Sequence, residues 1–340
     1  MKKAVFAAGI AALILMVINP TVCKDGAVYG LLLSSNVIIP SIFPFSVFVL
    51  FVLKCSFLGY SRFSLFLLSL IGGYPIGAKV LNNAAELKKI DKTTAETMLN
   101  YCVNAGPAFI ILSVGSGILG SLELGYILFF SHVSASFVLF LLSRRPKITQ
   151  TPSAKTDYGI IENFVLSVSE SASAVISICS FVVIFSVILN YLNFYSKNFS
   201  VLKNFGFLLE VTNAVTQNKN LIFISFMLGF GGFCVWFQIL SQVKSFKINY
   251  IKFALFRILH GVLSGSFTLL LIKVLKIKVP TFSNGIAANY TFSAASPAAA
   301  ISLIIMGIIF VISVYGKNYA GNLLEDLVLY INRKCIYGKI

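Results

Sequence analysis

The stretch Ser69-Leu70-Ile71-Gly72-Gly73-Tyr74-Pro75-Ile76-Gly77-Ala78-Lys79 decides how this chain folds. It lies in an apolar run, where each glycine costs a helix about 1 kcal/mol relative to alanine. Pro75 removes a backbone donor besides. Residues 63–71 are all that precede the break, and at about 1.5 Å per residue they span roughly half a bilayer core. A second diglycine follows Leu221 to Phe230 in the same way, in Gly229-Phe230-Gly231-Gly232-Phe233-Cys234-Val235-Trp236-Phe237-Gln238. Non-helical backbone at membrane depth is tolerated only where it is buried in protein or lines a wet cavity. The two breaks therefore read as tips of re-entrant helical hairpins that meet near the midplane. The alternative is a kinked full crossing whose glycines serve close helix packing.

Composition supports a membrane setting. The chain is 58% hydrophobic and 11% charged, against about 25% charged in soluble domains, and its mean hydropathy is +0.91. With about 20 apolar residues per crossing, 340 residues leave room for about seven to nine segments. A soluble enzyme, a disulfide-stapled secreted module and a disordered chain are excluded. The net charge of +16 comes from basic residues in loops and at segment ends, where lysines snorkel and meet anionic headgroups. The bilayer, not nucleic acid, is the expected partner. Cys23, Cys55, Cys102, Cys179, Cys234 and Cys335 show no C-x-x-C spacing and read as small buried hydrophobes, so no metal site and no cofactor is expected.

Working outward from the diglycines, Lys2 and Lys3 precede an apolar stretch from Ala4 to Asn19, read as a retained first span with a cytoplasmic N-terminus. Further apolar runs cover Leu31–Leu53, interrupted by Pro40 and Pro44, then Phe63–Leu81, Met98–Leu119 and Leu122–Leu142. After the Pro146–Asp157 linker come Phe164–Leu192, Leu221–Leu240, Phe253–Ile272 and Ala298–Val314. The expected division is an N-terminal transmembrane helix (1–26), a first repeat (27–143), a cytoplasmic linker (144–160), a second repeat (161–280), and a last transmembrane helix with a polar tail (281–340). Setting Gly72-Gly73 on Gly231-Gly232 without a gap puts Asn104-Ala105-Gly106 on Leu263-Ser264-Gly265, and Ile42–Leu53 resembles Ile176–Leu189. The reading is an all-α polytopic membrane protein of two structural repeats.

Asn104-Ala105-Gly106-Pro107-Ala108-Phe109 marks a second interruption, inside the span after the first hairpin. Freed amides at the start of a half-helix attract anions, and freed carbonyls hold cations or hydroxyls. An ordinary proline kink is the plainer reading. The counterpart Leu263-Ser264-Gly265-Ser266-Phe267 has no proline and is milder.

The candidate substrate-binding residues are Gly72, Gly73, Tyr74, Pro75, Lys79, Asn104, Gly106, Pro107, Gly231, Gly232, Gln238, Arg257, His260 and Ser264. A charge at mid-depth costs about 2.5–3.5 kcal/mol, so Lys79 needs a partner, water or a snorkelling route. Arg257 and His260, one turn apart, either anchor the interface or face the same cavity. If all three share a cavity, it is cationic and suits a small carboxylate-bearing anion. Tyr74, Phe109 and Trp236 are candidates to stack on an aromatic solute. Glu170 is the proton-coupling candidate, or else a charge at a cytoplasmic helix end. His132 and His260 are the two histidines, and no H-E-x-x-H, G-x-S-x-G or G-x-x-x-x-G-K-[ST] pattern occurs. Neither an enzyme nor a primary pump is expected.

Gly72-Gly73-Tyr74-Pro75-Ile76-Gly77-Ala78-Lys79, Asn104 to Ile111, Gly231 to Gln238 and Arg257-Ile258-Leu259-His260-Gly261 together resemble the sporulation integral membrane proteins of the YlbJ type, over about Ile38 to Leu275. That family carries the Gate, or nucleoside-recognition, domain and is similar to the concentrative nucleoside transporters. The resemblance implies, in each half, a hairpin followed by an unwound transmembrane helix, the halves being inverted repeats. It also implies a secondary transporter of a small anionic metabolite, moving dipicolinate out of the mother cell across the outer forespore membrane during sporulation. The acidic hairpin-tip motifs of nucleoside carriers are absent here, which counts against ribose recognition and sodium coupling. A carrier of nucleosides or other small solutes and a non-transporting sporulation scaffold are the alternatives, and the coupling ion is H+ or Na+. In this topology Lys88, Lys89, Lys92, Arg144, Arg145, Lys273 and Lys276 fall inside, while Lys244, Lys247 and Lys252 fall outside, against the positive-inside rule.

Overall fold

The computed structural model describes residues 2–55, 58–143, 159–196, 206–217 and 220–276, which are helical with no strand. The expected span over 298–314, the tail, and nearly all of the 144–160 linker lie outside the described residues. Helix α1 (Lys2–Ile18) ends at Asn19, where the following proline disfavours helical backbone. From Pro20 the chain stays helical to Lys54, through α2 (Pro20–Leu33), a π-helical turn (Ser34–Ile38) and α3 (Ile39–Lys54). Pro40 and Pro44 therefore do not break this run. Pro40 falls in the first turn of α3, where a missing N–H costs little, and the hydrogen-bond register widens just before it.

Helix α8 (Ile160–Ser196) lies antiparallel against that rod. Phe51 meets Phe164 at one end, while Asn19 donates to the Tyr195 hydroxyl at 3.1 Å at the other. The helices approach closely because a β-carbon on Gly30 would sit 2.6 Å from the Val183 Cα, the small-residue packing that membrane helices use.

In the first half, α4 (Arg62–Gly72) and α5 (Tyr74–Glu86) form a helical hairpin. Gly73 holds φ 86°, ψ −179°, a combination essentially limited to glycine, and the chain reverses there. A β-carbon on Gly77 would lie 3.1 Å from the Ser69 Cβ on the opposite arm. At the open end of the hairpin, the Lys89 ammonium sits 5.5 Å from the Tyr60 ring centroid. Both ends of the hairpin thus face one end of the bundle. Next, α6 (Lys92–Cys102) runs inward, loses helicity over Val103–Gly106, and continues as a π-helical segment (Ala108–Ile118). α7 (Leu122–Leu142) returns along it, with Gly115 against Gly125.

The second half comprises α9 (Val211–Gln217), α10 (Leu221–Phe230), α11 (Gly232–Gln242) and α12 (Tyr250–Leu275). It departs from the expected copy in three respects. First, its diglycine is a corner in a crossing and not a hairpin tip. α10 packs antiparallel on α12, with Gly229 on Gly261 and Ser225 on Ser264, whereas α11 continues toward the opposite end beside α5. Gly231 takes an ordinary left-handed conformation, φ 86°, ψ −20°, which turns the helix without reversing it. Second, no unwinding occurs at Leu263-Ser264-Gly265, because α12 is continuous through it; with no proline, nothing removes a donor from the ladder.

Third, the equivalent arms α5 and α11 run parallel, so they are not related as inverted repeats. Tyr74 meets Leu228 and Gly231 at their inner ends. At their outer ends the Asn82 side-chain carbonyl accepts from the amides of Lys244 and Ser245 at 2.7 and 2.9 Å. The Asn249 amide donates to Glu96 beside them. Lys92, Lys244 and Lys247 therefore line one groove, at the same end of the bundle as Lys89. Lys273 and Lys276 lie at the far end of α12. Lys244 and Lys247 thus share an end with Lys89 and Lys92, while Lys273 and Lys276 take the other side, so basic residues still flank both ends of the bundle.

Candidate functional site

The hairpin tip, the unwound stretch and the corner at Gly231 converge inside the bundle. Gly73 packs directly on Gly106: a β-carbon on either would come within 3.4 Å of the other's backbone. A cavity of ≈ 60 Å³ opens beside this contact. Its walls are the hairpin tip Gly72–Pro75, the restart of the broken helix at Gly106–Phe109, Ile178 and Val182 of α8, and Val235 and Gln238 of α11. Ile38, Ser41 and Ile42, next to the π turn, close one side, and such turns are frequent at functional sites.

A broken helix leaves carbonyls without partners, and here side chains from elsewhere satisfy them. At the first break the buried Arg257 guanidinium donates to the Val103 carbonyl at 2.5 Å and to the Asn100 carbonyl at 2.9 Å. The Tyr101 carbonyl accepts from Asn104 Nδ2 and from the Ser136 hydroxyl. The Ala105 amide donates to His132 Nε2 at 3.0 Å. At the second break, the Tyr74 hydroxyl donates to the Leu228 carbonyl and the Trp236 indole N–H to the Phe230 carbonyl. Each half thus caps the other: Arg257 closes the break of the first, Tyr74 that of the second.

Of the sequence-derived candidates, Gly72, Gly73, Tyr74, Pro75, Gly106, Pro107 and Gln238 line the cavity. Gly231 and Gly232 sit just behind it, with Gly231 against the Tyr74 ring. Lys79, Asn104, Arg257, His260 and Ser264 are not in the lining. Arg257 and Asn104 donate to backbone carbonyls, and His260 lies against His132, the rings tilted by 41° with centroids 4.4 Å apart. Ser264 shares hydrogen bonds with Ser225, which in turn accepts from Thr268. The three cationic candidates therefore do not share one chamber. Glu170 lies away from the cavity as well: it pairs with Lys54 at 2.8 Å and accepts from Asn83 at 3.0 Å.

Two functional candidates escaped the sequence reading. His132 braces the first break from α7. Glu210, only 6% exposed, places a carboxyl group in the cavity wall together with Thr212. Residues 206–217 read as connector because no run there is long enough to cross. The available signal was a single acid between Leu208-Leu209 and Val211, since ionisable residues at membrane depth mark functional sites by default.

No family model matches this chain, and no solved structure matches it. The sporulation integral membrane protein YlbJ of Bacillus subtilis (strain 168) is 23% identical, the match covering 76% of this chain and 79% of that protein. The resemblance first carried by the two diglycine motifs thus extends over most of the sequence. With five helices long and apolar enough to cross a bilayer among the described residues, the chain is an integral membrane protein.

Proposed function

We propose that this chain is a secondary transporter of a small anionic metabolite, acting in sporulation, with dipicolinate leaving the mother cell across the outer forespore membrane as its substrate. The observation that carries the transport reading is the contact of Gly73 with Gly106 beside a cavity. Interrupted segments meeting at mid-depth are where transporters hold their cargo. The half-helices that start at Tyr74 and Ala108 border the cavity, and their positive ends favour an anionic group. Sporulation enters through the name of the similar B. subtilis protein, and dipicolinate through the motif resemblance.

A cavity of ≈ 60 Å³ holds a few waters at about 10–15 Å³ of such volume each. An aromatic dicarboxylate needs more room. In this reading the cavity widens on loading, as the α4–α5 hairpin draws Gly73 away from Gly106.

A second reading rests on the lining itself. Glu210, Thr212 and Gln238 present acceptors and amide donors suited to a neutral hydroxylated solute such as a nucleoside. Uptake of radiolabelled dipicolinate and of uridine into proteoliposomes, for wild type and Gly73→Ala, separates the two. Saturable dipicolinate uptake that Gly73→Ala abolishes supports the first reading. Uridine uptake without dipicolinate uptake overturns it in favour of the second. Absence of both, in folded protein, supports a non-transporting membrane scaffold.

A further inference from the structure

The connection from α11 to α12 carries Lys244-Ser245-Phe246-Lys247. Phe246 is buried in the core, and the lysines on either side of it are exposed. The Asn82 side-chain carbonyl accepts from the amides of Lys244 and Ser245 and from the Ser245 hydroxyl, so the connection is fixed before anything binds to it. Opposite stands the first turn of α6 with Lys92 and Thr93, and the two walls border a groove of ≈ 490 Å³. Three lysines line it against one acid, Glu96, whose carboxylate accepts from the Asn249 amide at 3.2 Å. Asp91, the acid beside Lys92, accepts from the amide and hydroxyl of Thr94. The groove also lies at headgroup depth. α12 is long and apolar enough to cross a bilayer, and its first residues, Tyr250 and Ile251, are 66% and 77% exposed. A tyrosine at the end of a crossing marks the interface. From Ile251 an exposed apolar row follows α12 through Leu255, Leu259 and Val262, at the spacing of neighbours on one helix face.

We propose that this groove binds the headgroup of an anionic phospholipid, with its phosphate among Lys92, Lys244 and Lys247 and an acyl chain along the row from Ile251 to Val262. Charge complementarity selects the headgroup: a zwitterionic lipid brings an ammonium group that three lysines repel, whereas a net negative one does not. The apolar row selects a lipid over a free phosphate or an acidic peptide, because hydrocarbon contact benefits only a ligand that carries a chain. Basic pockets between membrane helices are recurrent headgroup sites. Asn82 belongs to α5 and holds the connection that leaves α11, so a lipid seated here braces the outer ends of both arms. The inference is independent of the solute and applies to a carrier and to a scaffold alike.

The test uses the full-length protein in detergent: wild type, a triple variant (Lys92→Gln, Lys244→Gln, Lys247→Gln), the single variant Lys247→Glu, and a control at the opposite end (Lys273→Gln, Lys276→Gln). Native mass spectrometry and the thermal midpoint are read with dioleoyl-phosphatidylglycerol, dioleoyl-phosphatidylcholine and glycerol 3-phosphate. Phosphatidylglycerol is expected to stay bound to wild type and control and to raise their midpoints by several degrees. The triple variant is expected to bind it about tenfold more weakly or worse, with Lys247→Glu in between, and to keep the wild-type circular dichroism. Equal phosphatidylglycerol binding by wild type and both groove variants overturns the proposal. Phosphatidylcholine binding as tightly as phosphatidylglycerol overturns it too, and glycerol 3-phosphate matching the lipid overturns it in favour of a free-phosphate site.

Discussion

The Arg257 guanidinium on α12 donates to the Val103 carbonyl at 2.5 Å, across a sequence separation of 154 residues. The freed carbonyls of the first break do hold a cation, as broken membrane helices do, but the cation belongs to the protein. Arg257 is thereby a fastener between the halves. Removing it leaves the carbonyls of Asn100 and Val103 buried without partners.

Arg257→Ala is accordingly expected to destabilise the fold by about 2–6 kcal/mol, at about 1–3 kcal/mol for each stranded acceptor. Arg257→Lys keeps the charge but not the two-pronged geometry, and falls in between. Denaturation in detergent, compared with wild type, checks the order. Equal stability of Arg257→Ala and wild type would contradict the fastening role.

Gly73→Ala forces a side chain into φ 86°, ψ −179°, at about 1–3 kcal/mol, and inserts a methyl group 3.4 Å from the Gly106 amide nitrogen. Under the proposed transport function, uptake is expected to fall much further than stability, because the added methyl group occupies the contact that the hairpin would have to open. A thermal midpoint measured beside the uptake rate distinguishes this from simple unfolding.

Ser264→Ala removes one member of a buried hydroxyl chain between α10 and α12. Such interhelical bonds are worth about 0.6 kcal/mol on average and at most about 1.7. A small loss of stability with unchanged solute affinity is the expected result. A selective loss of binding would return Ser264 to the substrate site.

The parallel course of α5 and α11 fixes which loops share a side. Single cysteines introduced at Lys89 and Lys247, in a protein otherwise free of accessible thiols, should react with an impermeant thiol reagent from the same side of the membrane. A cysteine at Lys276 should react from the other. Opposite labelling of Lys89→Cys and Lys247→Cys would restore the inverted arrangement.

By itself the sequence located the interruptions. Glycine pairs and Gly106-Pro107 weaken or remove local backbone hydrogen bonds wherever they stand, so the breaks at Gly73, Val103–Gly106 and Gly231 were legible, as were the membrane setting and seven of the nineteen residues that line the cavity. What the chain does after each break was not legible, because it depends on backbone angles and partners fixed at a distance. Gly73 and Gly231 share the same φ of 86°, yet one reverses the helix and the other only bends it. The difference in ψ goes with their surroundings: Gly106 against the first, the Tyr74 ring against the second. Tertiary contacts likewise decided that Arg257 serves carbonyls, that Ser264 serves packing, and that an acid in a short connector, Glu210, reaches the cavity. Helix breaking is a local energy, while the facing of a polar side chain at membrane depth is settled by whichever buried groups need its hydrogen bonds.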